Sequence, residues 1–276
     1  MVALGRLMHR TAIGPHLHRI GAALLVAGAV ACAGGGQHGT TVLAKVPERV
    51  VIMPFNVVTA MPAELKASSP EVWTALEAYL RSQGSQLKTL AYPTARGLWL
   101  QSVQAAQAEQ VESKRPAAVG RAFVAKLKPY SEFDAVIFPS LFVQRAAIAG
   151  TKATWDGIEQ KLEFDAGAHD LEPPDDAAIE GVAPAASLHI VVFDAQGEKI
   201  QEKQTGLALL VRAHLAHPGD PVSTPSYSFV PRKDPFADPA VLRDAVARAL
   251  DPFVPAPSAG EQRPARRDRE HRDSQH

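Results

Sequence analysis

The sequence has one cysteine in 276 residues. No disulfide can form within such a chain. Neither sign of charge dominates: 29 Lys and Arg stand against 29 Asp and Glu. That balance supplies no field to steer the chain toward nucleic acid, and no nucleic-acid partner is expected. Beyond residue 31 no apolar run is long enough to cross a bilayer as a helix, which takes about 20 residues. The longest later runs, such as GLALLV at residues 206–211, are strand-sized. There is no glycine-rich phosphate loop, since the triple glycine at residues 34–36 has no lysine after it. There is no G-x-S-x-G elbow either. No catalytic signature and no cofactor motif is present.

What is present begins at the N-terminus. Arg6, Arg10 and Arg19 precede residues 20–31, which carry no charge, and no acid stands before them. Positive charge followed by a short apolar core is the order of a secretory signal. The competing reading is a short helix packed on the domain, but the run ends in Gly34-Gly35-Gly36 and shows no amphipathic pattern. Ala29-Val30-Ala31 then lead into Cys32. This resembles the lipobox of bacterial lipoproteins, in which the cysteine becomes the first mature residue and carries the lipid. Ala29 stands where that motif prefers leucine, so ordinary cleavage after Ala31 or Ala33 is the alternative. A lone cysteine is more often a small buried hydrophobe, but alanine and glycine around Cys32 offer no core to enter. The resemblance implies a membrane anchor through Cys32. Ala33, in place of aspartate, implies the outer membrane.

Four segments follow. Residues 1–31 are expected to be the signal, 32–44 a flexible tether, 45–254 one folded domain, and 255–276 a charged, disordered tail. Without residues 1–31 the balance is 26 basic against 29 acidic residues. Glycine supplies the freedom of the tether. The tail mixes Arg263, Arg266, Arg267, Arg269 and Arg272 with Glu261, Asp268, Glu270 and Asp273. That mixing nearly cancels its field, so it reads either as a solubilising end or as a contact for lipid, wall polymer or a partner.

Within the domain, residues 50–53 are a dense β-branched run that suits a strand buried on both faces. Pro54 ends it, and Asn56 turns or caps the chain. Ser68-Ser69-Pro70-Glu71 predicts a capped helix start, Val72, Trp73, Leu76, Tyr79 and Leu80 its apolar stripe, and Gly84 its stop. A short strand is expected near residues 87–91, with a break over 93–97. Pro116 divides the following helix-forming stretch in two, with Val119, Phe123, Val124 and Leu127 inward. Residues 135–138 repeat the opening phrase, AVIFPS against VVIMPF, which places the two strands in one sheet. Phe142 and Val143 continue past Pro139, with a bulge. Residues 150–186 read as an irregular insertion with a strand edge at 155–164. Residues 188–193, a turn at 194–197 and a second arm ending near Val211 form a hairpin. Asp238-Pro239 start a last helix with Val241, Leu242, Val246, Ala249 and Leu250 as its stripe. The expected core also holds Val51, Ile52, Val136, Phe138, Ile190, Val192 and Leu209.

These phrases resemble a group of bacterial envelope lipoproteins that includes the curli-secretion lipoprotein CsgG, the penicillin-binding-protein activator LpoB and the amino-terminal domain of TolB. The likeness rests on ERVVIMPF, FDAVIFPSLF, the hairpin SLHIVVFDAQGEKI and the closing helix, scattered over residues 48–254. It implies an α/β sandwich of two or three layers with a mixed sheet. It also implies a non-enzymatic role in assembly, secretion or activation at the outer membrane, with an envelope protein as partner. Two alternatives stand beside it. A periplasmic module could bind a small molecule or wall fragment if Trp99, Tyr130, Phe142 and Trp155 converge. A hydrolase would need a distant Ser, His and acid brought together. For a metal, His214, His217 and Asp220 are the one candidate cluster, and none is expected to bind there. Glu172, Asp175 and Asp176 read as a solvated loop.

Overall fold

The structure, a computed structural model, describes residues 46–107, 112, 115–164, 179–215 and 227–254. Its centre is a seven-stranded mixed sheet. Strand β1 (Arg49–Ile52) lies between β2 (Gln86–Thr89) and β3 (Ala135–Ala149), parallel to both. Val51 stands opposite Val136 in that register, so the two echoed phrases are neighbours in one sheet. Beyond them β3 pairs antiparallel with β6 (Glu180–Asp194), and β6 with β7 (Lys199–Leu209).

Alternate side chains of these strands enter two cores, because successive residues point to opposite faces. Val50, Ile52, Ile137, Ile190 and Val192 face helices α2 (Ser69–Ser82) and α5 (Pro239–Leu250). Val51, Met53, Val136, Phe138 and Phe193 face α3 (Tyr92–Ala106) and α4 (Arg115–Leu127). The result is a three-layer α/β sandwich. A four-residue helix α1 (Ala63–Lys66) precedes α2.

Several local expectations change. No side chain of Ser68 caps α2; Pro70 sits in its first turn and Gly84, at φ 89°, follows its end. Residues 93–97 do not break the chain, because Pro93 lies in the first turn of α3, where a missing N–H costs nothing. Trp73 is only partly buried and meets Phe55 edge-on at 5.5 Å. Val241 is 51% exposed, so the inward stripe of α5 is Leu242, Ala245, Val246, Ala249 and Leu250. The cap of α5 is as read: the Asp238 carboxylate accepts from Ala240 N at 2.9 Å and Val241 N at 3.2 Å.

No bulge interrupts β3 at Pro139. Fifteen residues of β3 pair with β6 in one unbroken register. Proline is tolerated because β1 has already ended on its other side. Asn56 takes the place of the missing strand. Its Oδ1 accepts from Leu141 N at 2.9 Å and its Nδ2 donates to Leu141 O at 3.0 Å, as a backbone peptide would. Its own N–H donates to Pro139 O at 3.2 Å. The positive φ of 57° that this needs is one Asn tolerates well.

The irregular reading of residues 150–186 also gives way. Strands β4 (Lys152–Trp155) and β5 (Ile158–Lys161) form a hairpin on the far end of β3, and β6 begins at Glu180. The hairpin curls back to β7: Gly206 N donates to Asp156 O at 3.3 Å and Leu209 N to Gln160 Oε1 at 3.0 Å. A third core fills the curl, with Ile148, Trp155, Leu162 and Leu209. The second arm of the predicted hairpin is β7, which stops at Leu209. The chain then enters a separate ribbon of β8 (Val211–Leu215) and β9 (Tyr227–Pro231). The turn itself is as expected: Gly197 is at φ 84°, and Asp194 Oδ1 accepts from Gln196 N and Glu198 N, each at 2.9 Å.

Candidate functional site

Cys32, the tether and the tail at residues 255–276 lie outside the described residues. The structure does fix where the chain joins the domain at either end. Val46 packs against the core under α2 and α5, and Pro47 O accepts from Ser85 Oγ at 2.8 Å. At the other end Val254 is fully buried in the same core, and Tyr79 Oη donates to Val254 O at 3.4 Å. Burial pushes the Tyr79 hydroxyl above its ordinary pKa, and the charge of Asp251 adds to this.

A groove of about 920 Å³ runs between α2 and α5. Ala75 and Ala78 form one wall; Phe236, Pro239 and Leu242 form the other. Small side chains on both helices leave this space open. Glu71, Asp238 and Arg243 supply its charge. The Asp238 carboxylate is already engaged as the cap of α5.

A polar network lies on the opposite face of the sheet, along β6 and β7. Glu202 accepts from Lys199 Nζ and pairs with His189 Nε2 at 3.2 Å. The hydrogen bond from Lys199 holds the Glu202 carboxyl below its usual range. Partial burial opposes this, and the charges of Lys199 and His189 support it. Two residues back along β6, the Ser187 hydroxyl donates to Asp156 Oδ2, which also accepts from Gln204 Nε2 at 2.9 Å. Ser187 and His189 are thus each bonded to a different carboxylate. Nucleophilic catalysis needs the serine on the histidine; here the serine serves to hold the β4–β5 turn on the sheet.

The four aromatic candidates do not converge. Trp99 packs on Phe123 and Phe138 under α3 and α4. Trp155 lies in the third core with its indole N–H on Ala186 O at 3.1 Å. Tyr130 is 54% exposed, and the Phe142 ring faces His189, centroid to centroid, at 6.1 Å. A ligand pocket built on these four is therefore removed. His214 lies on β8, while His217, Asp220, Glu172, Asp175 and Asp176 fall outside the described residues. Among the described residues no group of His, Cys, Asp and Glu has the spacing of a metal site, and no helix is long and apolar enough to cross a membrane. The α2–α5 groove had no signal in the sequence beyond alanine at Ala75 and Ala78, which helix propensity alone explains. Compared with known proteins, no family model and no curated protein sequence matches this chain.

Proposed function

We propose that this chain is a lipid-anchored protein of the bacterial envelope that acts by binding another protein, not by catalysis. The observation that carries the reading is the order of the N-terminal residues: three arginines, an uncharged run over 20–31, and Cys32 at its end. Lipidation accounts for a lone thiol placed in alanine and glycine. Residues 33–48 then separate Cys32 from the first strand, enough chain to hold the domain clear of a bilayer surface. The mixed-sheet sandwich supports the likeness to the CsgG, LpoB and TolB group as a matter of fold. The outer membrane, facing the periplasm, is the proposed location. The α2–α5 groove, apolar and lined by small side chains, is the place this domain offers to a protein segment.

The test is fractionation of wild type and Cys32→Ser, with intact mass of the mature N-terminus. Serine keeps the size but cannot form the thioether to the diacylglyceryl group. Each buried CH₂ of an acyl chain contributes roughly 0.8 kcal/mol, so losing the chains releases the protein. Wild type is expected in the membrane fraction with a lipid mass on Cys32, and the variant in the soluble fraction or unprocessed. A soluble wild type with a free Cys32 thiol would defeat the proposal.

A further inference from the structure

We propose that a second cavity, between the C-terminal half of α5 and the outer edge of β7, binds a dipeptide with both ends free. This cavity, of about 570 Å³, shares no lining residue with the α2–α5 groove. Its size is that of a small-molecule site. Part of its charge is already engaged. The Asp156 carboxylate accepts from Ser187 Oγ and from Gln204 Nε2. Lys203 Nζ donates to Asp251 O at 2.8 Å and stands 3.8 Å from the Asp251 carboxylate.

Other polar groups on its walls are not engaged. Gln201 and Lys203 reach Ala249 O and Asp251 O, so Thr205, next in that alternation, also points toward α5. Thr205 is 4% exposed, yet its hydroxyl has no hydrogen-bond partner among the described residues. No fully enclosed side-chain oxygen or nitrogen there lacks a partner, so this oxygen opens into the cavity. A peptide group of a ligand satisfies it, as donor or as acceptor. Gly206 N donates to Asp156 O, away from β6. Gln204, two residues back, turns its own N–H and C=O to that same edge, where β7 has no pairing strand among the described residues. On the α5 wall, Arg248 pairs with no described residue, and Asp244 stands 4.0 Å from Arg243 Nε, too far for a hydrogen bond. Asp244 and Arg248 are four residues apart on one side of the helix, a rise of about 6 Å. An extended dipeptide separates its charged ends by about the same length, at roughly 3.3 Å per residue. Its ammonium then meets Asp244, its carboxylate Arg248, and its peptide group Thr205 and the edge of β7. A single amino acid carries both charges on one carbon and is too short to reach both. The inference depends neither on the lipid anchor nor on the α2–α5 groove.

The probe is alanyl-alanine, titrated into the full-length protein and followed by calorimetry. Its carboxamide and its N-acetyl form each lack one of the two charges. Alanyl-alanine is expected to bind saturably, and each blocked form about tenfold more weakly, as for a lost charge-assisted hydrogen bond. Arg248→Gln is expected to bind alanyl-alanine and its carboxamide equally while still disfavouring the N-acetyl form. Thr205→Val keeps the side-chain shape and is expected to weaken all three by about fivefold. Arg248 is exposed, so its variant keeps the fold, and equal thermal transitions check this for both variants. No saturable binding of alanyl-alanine to the wild type overturns the proposal. An Arg248→Gln variant that still prefers alanyl-alanine to its carboxamide overturns it as well, since the carboxylate then lies elsewhere.

Discussion

Strand β3 is two different strands joined end to end. Its first seven residues, 135–141, are all buried, because helices cover both faces of the sheet there. Its last eight, 142–149, alternate, with Ala146 and Ile148 buried and their neighbours more exposed. Among the described residues only one face is covered there, by the β4–β5 hairpin curling back onto it. The same divide runs through the domain. The helix-covered half draws on two cores at once; the curled half depends on one. A sheet buried on both faces needs consecutive apolar residues, and a sheet buried on one face needs every second residue. The lesson is that stability is expected to be unequal along a single strand.

The largest test of that inequality is truncation in the helix-covered half. Phe123 is buried against Phe138 at 4.9 Å and Trp99 at 6.1 Å. Phe123→Ala is expected to cost about 3–5 kcal/mol. Val182→Ala, on the open face of β6 and 47% exposed, should stay within about 0.5 kcal/mol of wild type. Urea unfolding monitored by circular dichroism measures both. Similar losses would abolish the contrast between the two halves.

A moderate effect is expected at Gly206. A Cβ there would stand 2.5 Å from Ile158 Cγ1 and 2.6 Å from Trp155 Nε1. Trp155 cannot easily retreat, since its indole is bonded to Ala186 O. Gly206→Ala should cost about 1–3 kcal/mol by overpacking. Hydrogen exchange sharpens the comparison. Amides of β4, β5 and Leu209 should exchange faster, while those of β1 and residues 135–141 keep their protection. Uniform acceleration through the sheet would show that the two halves open together.

The smallest effect concerns acid. Asp134 is held below the usual carboxylate range, first by its hydrogen bonds from Arg49, at 2.9 Å from both the guanidinium and the backbone N–H. Glu202 is depressed by Lys199 and His189. A carboxylate whose pKa is lower when folded contributes stability above the unfolded value, near 4. That contribution is lost as the pH falls through the folded value. Both side chains are more than a third exposed, and such pairs contribute about 0.2–1 kcal/mol each. Glu202→Gln should therefore flatten, slightly, the fall of the urea midpoint between about pH 5 and pH 3. A variant with the wild-type slope across that window would assign no stabilising role to the Lys199–Glu202–His189 cluster.

Legibility in the sequence follows the same divide. Residues 50–53 and 135–138 are runs with no polar interruption, so their burial could be read directly. The stripes of α2 and α4 repeat at helical spacing, and Asp238-Pro239 and the 194–197 turn use local chemistry that a short window contains. In the curled half the pattern is weaker. Lys152, Thr154, Glu159 and Lys161 face outward from β4 and β5 beside Ala153, Trp155 and Ile158, so the segment reads as a polar loop until its partner is known. The strands β8 and β9 pair across residues 216–226, too far apart for a turn signal. The polar network failed to show itself for a related reason, since Asp156 and Ser187 are 31 residues apart and meet only by the curl.

The sequence by itself determined the N-terminal order ending in Cys32, the two echoed strands, the helix stripes and the 194–197 hairpin turn. Each of these depends on residues close together in the chain, whose local free energies are set by side-chain type and spacing. Only the tertiary structure decided that Pro139 could sit inside a fifteen-residue strand. That required β1 to end beside it and Asn56 to pair with Leu141, 85 residues further along the chain, in place of a neighbouring strand. It likewise decided that α2 and α5 would leave a groove between them. A gap between two helices is a property of both surfaces at once, and neither helix encodes it alone.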